Sequence, residues 1–165
     1  MSPLASFGIS LAFSFIAWGV VLARYVWPKL RRQSRADAMR PLLLLHGFRF
    51  VGLSFLLPGV VSLDLPPAWA LPAAYGDIIA AALALLALAT LNSTVGIPLV
   101  WVFNLWGSAD LVNAFYRGNQ VGLEPGQLGA AYFVVTVLVP LLLITHGLVF
   151  QLLLQRDGPR RAFEK

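Results

Sequence analysis

At 165 residues and 17.9 kDa the chain has the length of one ordinary soluble domain, yet 59% of it is apolar, 12% is charged and the mean hydropathy is +0.79. Soluble domains carry about 25% charged residues, so this composition excludes a water-soluble fold, and the same apolar excess excludes disorder. With no cysteine, a disulfide scaffold and a thiolate metal site are excluded too. The net charge of +5 would suit nucleic acid, but ten of the twelve Lys and Arg fall in two blocks: Arg24, Lys29, Arg31, Arg32, Arg35 and Arg40, then Arg156, Arg160, Arg161 and Lys165. Blocks between apolar runs orient membrane proteins and do not build a DNA-binding surface. The class is an all-α integral membrane bundle, a single domain over residues 1–165.

A helix needs about 20 apolar residues to cross the hydrocarbon, and five such runs follow in order. The first extends from Leu4 to Ala23 and carries no charge. It lacks a basic leader and a small-residue cleavage site, so it reads as a retained anchor. The second spans Pro41 to Leu63, the third Leu71 to Leu91, the fourth Gly96 to Tyr116 and the fifth Leu128 to Leu154. None shows the alternation of a barrel strand, and in a bilayer only helices otherwise satisfy the backbone. Prolines 66, 67 and 72, the caps Asn92-Ser93-Thr94 before Gly96 and Pro98, and the polar stretch Gly118 to Gly126 punctuate these runs. Pro140 is expected to kink the fifth.

Both basic blocks fall on one side of such a bundle, and the positive-inside rule makes that side cytoplasmic. The N-terminus is then outside and the C-terminus inside, in a bacterial cytoplasmic membrane. Membrane lipids are the expected surroundings, with anionic headgroups against the basic loop Arg24 to Arg40 and no nucleic acid. Tyr25, Trp27, Trp69, Tyr75, Tyr116 and Tyr132 read as interfacial aromatics. Trp18 and Trp106 lie deeper and read as packing between helices. Five spans are few for a transporter with a two-fold repeat, which leaves room for a homo-oligomer or a subunit of a membrane complex.

Chemistry should lie in the ionisable groups inside the spans: His46, Arg49, Asp77, Asp110 and His146. A charge at mid-bilayer costs roughly 2.5–3.5 kcal/mol on insertion scales, so such groups face the bundle interior and find partners. At a rise of about 1.5 Å per residue, Arg49, Asn104 and His146 all fall about 12 Å from the cytoplasmic end. Asp77 and Asp110 fall about 9 Å from the outer end. Asn104, Gly107, Asp110 and Asn113 recur at a spacing of three, a stripe that drifts around the helix, so the four cannot all point at one site.

Two kinds of function follow. In one, a buried polar site handles a proton or a small amphiphilic ligand, with Arg49 as anion anchor, Asp77 and Asp110 sharing a proton and His146 titrating. In the other, His46 and His146, each followed by glycine and at matching depth, hold a b-type haem for electron transfer. Neither histidine has metal-ligand spacing, so no metal site is expected. A third possibility is a non-catalytic accessory or assembly subunit whose polar residues only join helices.

Arg49 with Gly52, the segment Pro72-Ala73-Ala74-Tyr75-Gly76-Asp77, the triplet Asn104, Gly107, Asp110 and the closing Pro140 with His146 form a pattern over residues 46–150. In these motifs the chain resembles a group of small bacterial membrane proteins. The resemblance implies a polytopic membrane fold, adds no activity, and marks Arg49, Asp77, Asn104, Asp110 and His146.

Overall fold

The computed structural model describes residues 1–155. The second basic block, Arg156, Arg160, Arg161 and Lys165, lies outside the described residues. Those described are helical, with no strand among them.

Ser2 starts the first helix: its hydroxyl accepts from the Ala5 amide at 3.2 Å, pairing one of the amides a helix start leaves open. Helix α1 then runs over Pro3–Leu30, with a π turn at Leu22–Val26 just ahead of Pro28. Helix α5, Val134–Leu154, repeats the device, with a π turn at Val134–Leu138 ahead of Pro140. Proline has no amide for the preceding turn, and one wider turn absorbs the mismatch. The kink expected at Pro140 takes this form.

Helix α2 begins at Arg35, where the Ser34 hydroxyl accepts from the Asp37 amide at 3.2 Å and Asp37 sets negative charge in the first turn. From Phe48 to Leu56 it tightens into a 3-10 helix. It stops before Pro58 and Gly59, whose φ of 87° favours glycine. The expected span Pro41 to Leu63 is therefore displaced to Arg35–Leu56, and Pro41 lies inside the helix. A serine cap outranked a proline as the start signal.

Helices α3, Pro67–Thr90, and α4, Gly96–Gln120, follow. A 3-10 segment over Pro125–Ala131, broken at Gly129 with φ 52°, leads into α5. The Ala130 amide donates to the Val60 carbonyl at 2.7 Å and ties this segment to the loop after α2. Helices α1, α2, α3 and α5 are long and apolar enough to cross a membrane. At 25 residues α4 is also long enough, but it carries the polar stripe.

Helix α3 packs between α2 and α4, and α5 closes the ring against α4 and α2. Six buried alanines of α3, from Ala73 to Ala87, permit this close approach. Helix α1 lies outside the ring against α5, with no buried residue over Pro3–Val21. It is fastened by Ser10 to the Tyr132 hydroxyl at 2.8 Å and by Trp18 Nε1, which donates to the Val137 carbonyl at 3.0 Å.

Two apolar cores fill the ring. One, with Leu30, Met39, Leu43, Val100, Phe103 and Val149, sits toward the end carrying Arg24 to Arg40. The other, with Phe55, Trp69, Ala73, Ala74, Leu128 and Val135, sits at the opposite end. The polar residues lie between them.

Candidate functional site

Arg49 sits early in the 3-10 part of α2, and its side chain has no exposed surface. Nε donates to Asp77 Oδ1 on α3 at 2.7 Å, and Nη2 donates to Asp110 Oδ2 on α4 at 2.7 Å. Nη1 donates to the Gly107 carbonyl of α4 at 3.2 Å and to His146 Nε2 of α5 at 3.2 Å. One guanidinium thus contacts all three other helices of the ring. Charge-assisted hydrogen bonds to both carboxylates offset the desolvation that a buried arginine carries.

The roles of the neighbouring groups follow from this. A guanidinium only donates, so His146 Nε2 accepts and the imidazole carries its proton on Nδ1. That Nδ1 donates to Asn104 Oδ1 at 2.7 Å, and Asn104 Nδ2 returns a bond to the His146 carbonyl at 3.3 Å. The residues expected in two layers, Arg49, Asn104 and His146 in one and Asp77 and Asp110 in the other, therefore form one connected cluster. Starting α2 at Arg35 rather than Pro41 adds six residues, about 9 Å of depth to Arg49, which carries it up to the aspartates. Of the stripe on α4, Asn104, Gly107 and Asp110 join the cluster, while Asn113 has drifted away and accepts from Arg117 at 3.3 Å.

Glycines supply the remaining fit. A Cβ on Gly52 would lie 2.1 Å from Asp77 Oδ2, and one on Gly76 would lie 1.7 Å from Asp110 Oδ1. One on Gly107 would meet His146 Cε1 at 2.6 Å and Arg49 Nη1 at 2.8 Å. Each carboxylate is therefore pressed against the bare backbone of a neighbouring helix on one side and held by Arg49 on the other. Sequence reasoning passed over Gly52 and Gly76 as site residues. The available signal was their place one helical turn from Arg49 and next to Asp77.

His46 is fully buried at the end of the α-helical part of α2. Its ring lies against that of His146, tilted by 46° with centroids 4.2 Å apart, and meets Phe103 edge to face at 5.0 Å. Its Nε2 lies 3.0 Å from Thr145 Oγ1, and Nδ1 has no hydrogen-bond partner among the described residues. A haem held by both imidazoles needs an iron and a coordination bond on each side between the two ligating nitrogens. Here the rings touch and His146 Nε2 is taken by Arg49, so the pair does not fit a bis-histidine haem.

Toward the end opposite the basic loop the cluster forms the floor of a cavity of about 700 Å³. Asp77 and Asp110, with side chains 13% and 11% exposed, reach into it. Its walls are mainly apolar, with Phe7 of α1, Phe55 of α2, Trp69 of α3 and Phe115 of α4. Trp69 is 4% exposed, and its Nε1 donates to the Ala114 carbonyl at 2.8 Å. Arg49 lies behind the carboxylates, so a group in the cavity meets Asp77 and Asp110 first.

A ring of helices pinned by one buried arginine, with an apolar cavity over its two carboxylates, is the class that fold and site define. The chain belongs to the family described as a domain of unknown function, DUF8737, whose model matches residues 6–154. No curated protein and no solved structure matches it.

Proposed function

We propose that this is a five-span protein of the bacterial cytoplasmic membrane that binds a small amphiphilic molecule in the cavity above Asp77 and Asp110. The observation that carries the reading is the cavity itself: about 700 Å³, mostly apolar, with two carboxylates in its floor. That volume lies in the range of small-molecule sites, which combine apolar walls with a few fixed polar groups. The pinned rotamers of Asp77 and Asp110 favour recognition, because little side-chain freedom remains to be lost on binding. Helix α4 would cross the bilayer with its polar stripe turned inward.

Of the two uses expected for the cluster, ligand binding is better supported than proton transfer. A relay from the cavity to His146 would run through Arg49, whose guanidinium does not release a proton in proteins. Exposed Arg24, Lys29, Arg31 and Arg32 at the turn between α1 and α2 support contact with anionic headgroups there.

The test is thermal unfolding of protein in lipid nanodiscs, titrated with a bacterial lipid extract. A ligand at about 100 times its Kd stabilises the folded state by about 2.7 kcal/mol, so the midpoint should rise in the native protein. Ala114→Trp, which sets an indole into the cavity, should cancel the rise, as should Gly126→Trp in its lining, where an added Cβ meets nothing within 4 Å. No rise in the native protein, or an equal rise in both variants, would leave the accessory subunit as the better reading.

A further inference from the structure

We propose that the occupant of the cavity is a lipophilic cation, an organic ammonium or phosphonium whose charge rests over Asp77 and Asp110 and whose apolar part lies against the aromatic walls. The inference rests on the reading of the cavity as an amphiphile site and narrows it by charge. Among the described residues three carboxylates line the cavity, Asp77 and Asp110 in the floor with Glu124, and no lysine, arginine or histidine does. Arg49, the cation that holds both aspartates, has no exposed surface and directs four of its five donors to the carboxylates, the Gly107 carbonyl and His146.

Two ionised aspartates around one guanidinium leave a net charge of −1, which a monovalent cation in the cavity brings to zero. An anionic head would meet like charge at Asp77 and Asp110, and the lining offers it the neutral donors Ser2 and Asn119 but no cationic side chain. A zwitterionic phospholipid would likewise leave its phosphate without a cationic partner in the lining. The walls add an attraction of their own, since Phe7, Phe55, Trp69 and Phe115 present four aromatic rings and ring faces draw cations. Phe55 and Trp69 hold each other edge to face with centroids 5.0 Å apart, so this part of the wall is set before a ligand arrives.

The experiment is equilibrium binding to full-length protein in phosphatidylcholine nanodiscs, corrected for empty discs. The three probes have similar bulk: tetraphenylphosphonium, tetraphenylborate and neutral triphenylphosphine oxide. Saturable binding is expected for the phosphonium, weaker binding for the oxide and none for the borate. Asp77→Asn and Asp110→Asn should each weaken the phosphonium by about tenfold, the scale of one charge-assisted contact. Ala114→Trp should abolish it.

If the oxide binds as tightly as the phosphonium and Ala114→Trp removes both, the amphiphile site stands and the charge selectivity falls. Tighter binding of the borate overturns the inference in the same way. If no probe saturates, both readings fall. The comparison among probes uses the native protein, so it decides the question even where an aspartate variant fails to fold.

Discussion

Replacing Arg49 by alanine strands two carboxylates and a histidine in the centre of the ring. Breaking a buried pair by removing one partner typically costs about 3–5 kcal/mol, so Arg49→Ala should unfold in detergent at a much lower temperature than the native protein. Arg49→Lys keeps the charge but not the fork that reaches two carboxylates at once, and its midpoint should fall between the two. Equal midpoints for all three would show that the cluster is not what joins the helices. The identities of these residues were legible in the sequence, because a charge in an apolar run has to find a partner. Their union was not, since depth counted from Pro41 put Arg49 too near the basic end and parted it from the aspartates. Nor could the sequence show that Arg49 faces away from the cavity, because the direction of a side chain depends on which helices flank it.

At the scale of elements the glycines separate by what they touch. Gly52→Ala and Gly76→Ala each drive a methyl into a carboxylate held by Arg49, at 2.1 and 1.7 Å. Overpacking of this kind costs about 1–3 kcal/mol. Gly147→Ala on α5 adds a methyl where nothing lies within 4 Å and should stay within about 0.5 kcal/mol of the native protein. Melting the three variants side by side checks this, and a Gly147→Ala as damaged as the others would sink the account. The order and helical type of the long segments could be read from apolar runs and proline positions. Four boundaries could not: α1 runs past Ala23 to Leu30, α2 starts at a serine cap inside the basic block and stops at Leu56, and α5 starts after a 3-10 segment whose Leu128, Ala130 and Ala131 extend the apolar run. The tightening of α2 at Phe48 left no mark in composition, yet it sets the register of Arg49.

Across the whole molecule, the basic turn between α1 and α2 lies at one end of the bundle, and the cavity with the start of α1 lies at the other. On the proposed orientation, a reporter fused at Gln33 should be active only in the cytoplasm and one at Gln120 only outside. Activity of both on one side would require a different span assignment. The same view distinguishes the ring from its appendage. Helices α2 to α5 share the polar cluster, whereas the Pro3–Val21 part of α1 is fastened by Ser10 to Tyr132, just ahead of α5, and by Trp18 to Val137 of α5. Ser10→Ala with Trp18→Phe should therefore speed hydrogen exchange in α1 while leaving the amides of α3 and α4 protected, because local opening follows the contacts that hold each segment. Faster exchange throughout would mean that α1 is integral to the ring.

The meeting of four helices at Arg49 also bears on how the chain is made. The arginine leaves the ribosome before either aspartate, and its last partner, His146, follows both of them. On the proposed membrane reading, α2 holds an unpaired cation until α3 and α4 arrive. No pair or trio of helices satisfies every member of the cluster, so the nascent protein has no comfortable halfway state. Biogenesis should accordingly be close to all or none: a chain cut between α4 and α5 should be degraded, and co-expressing α5 as a separate piece should rescue it.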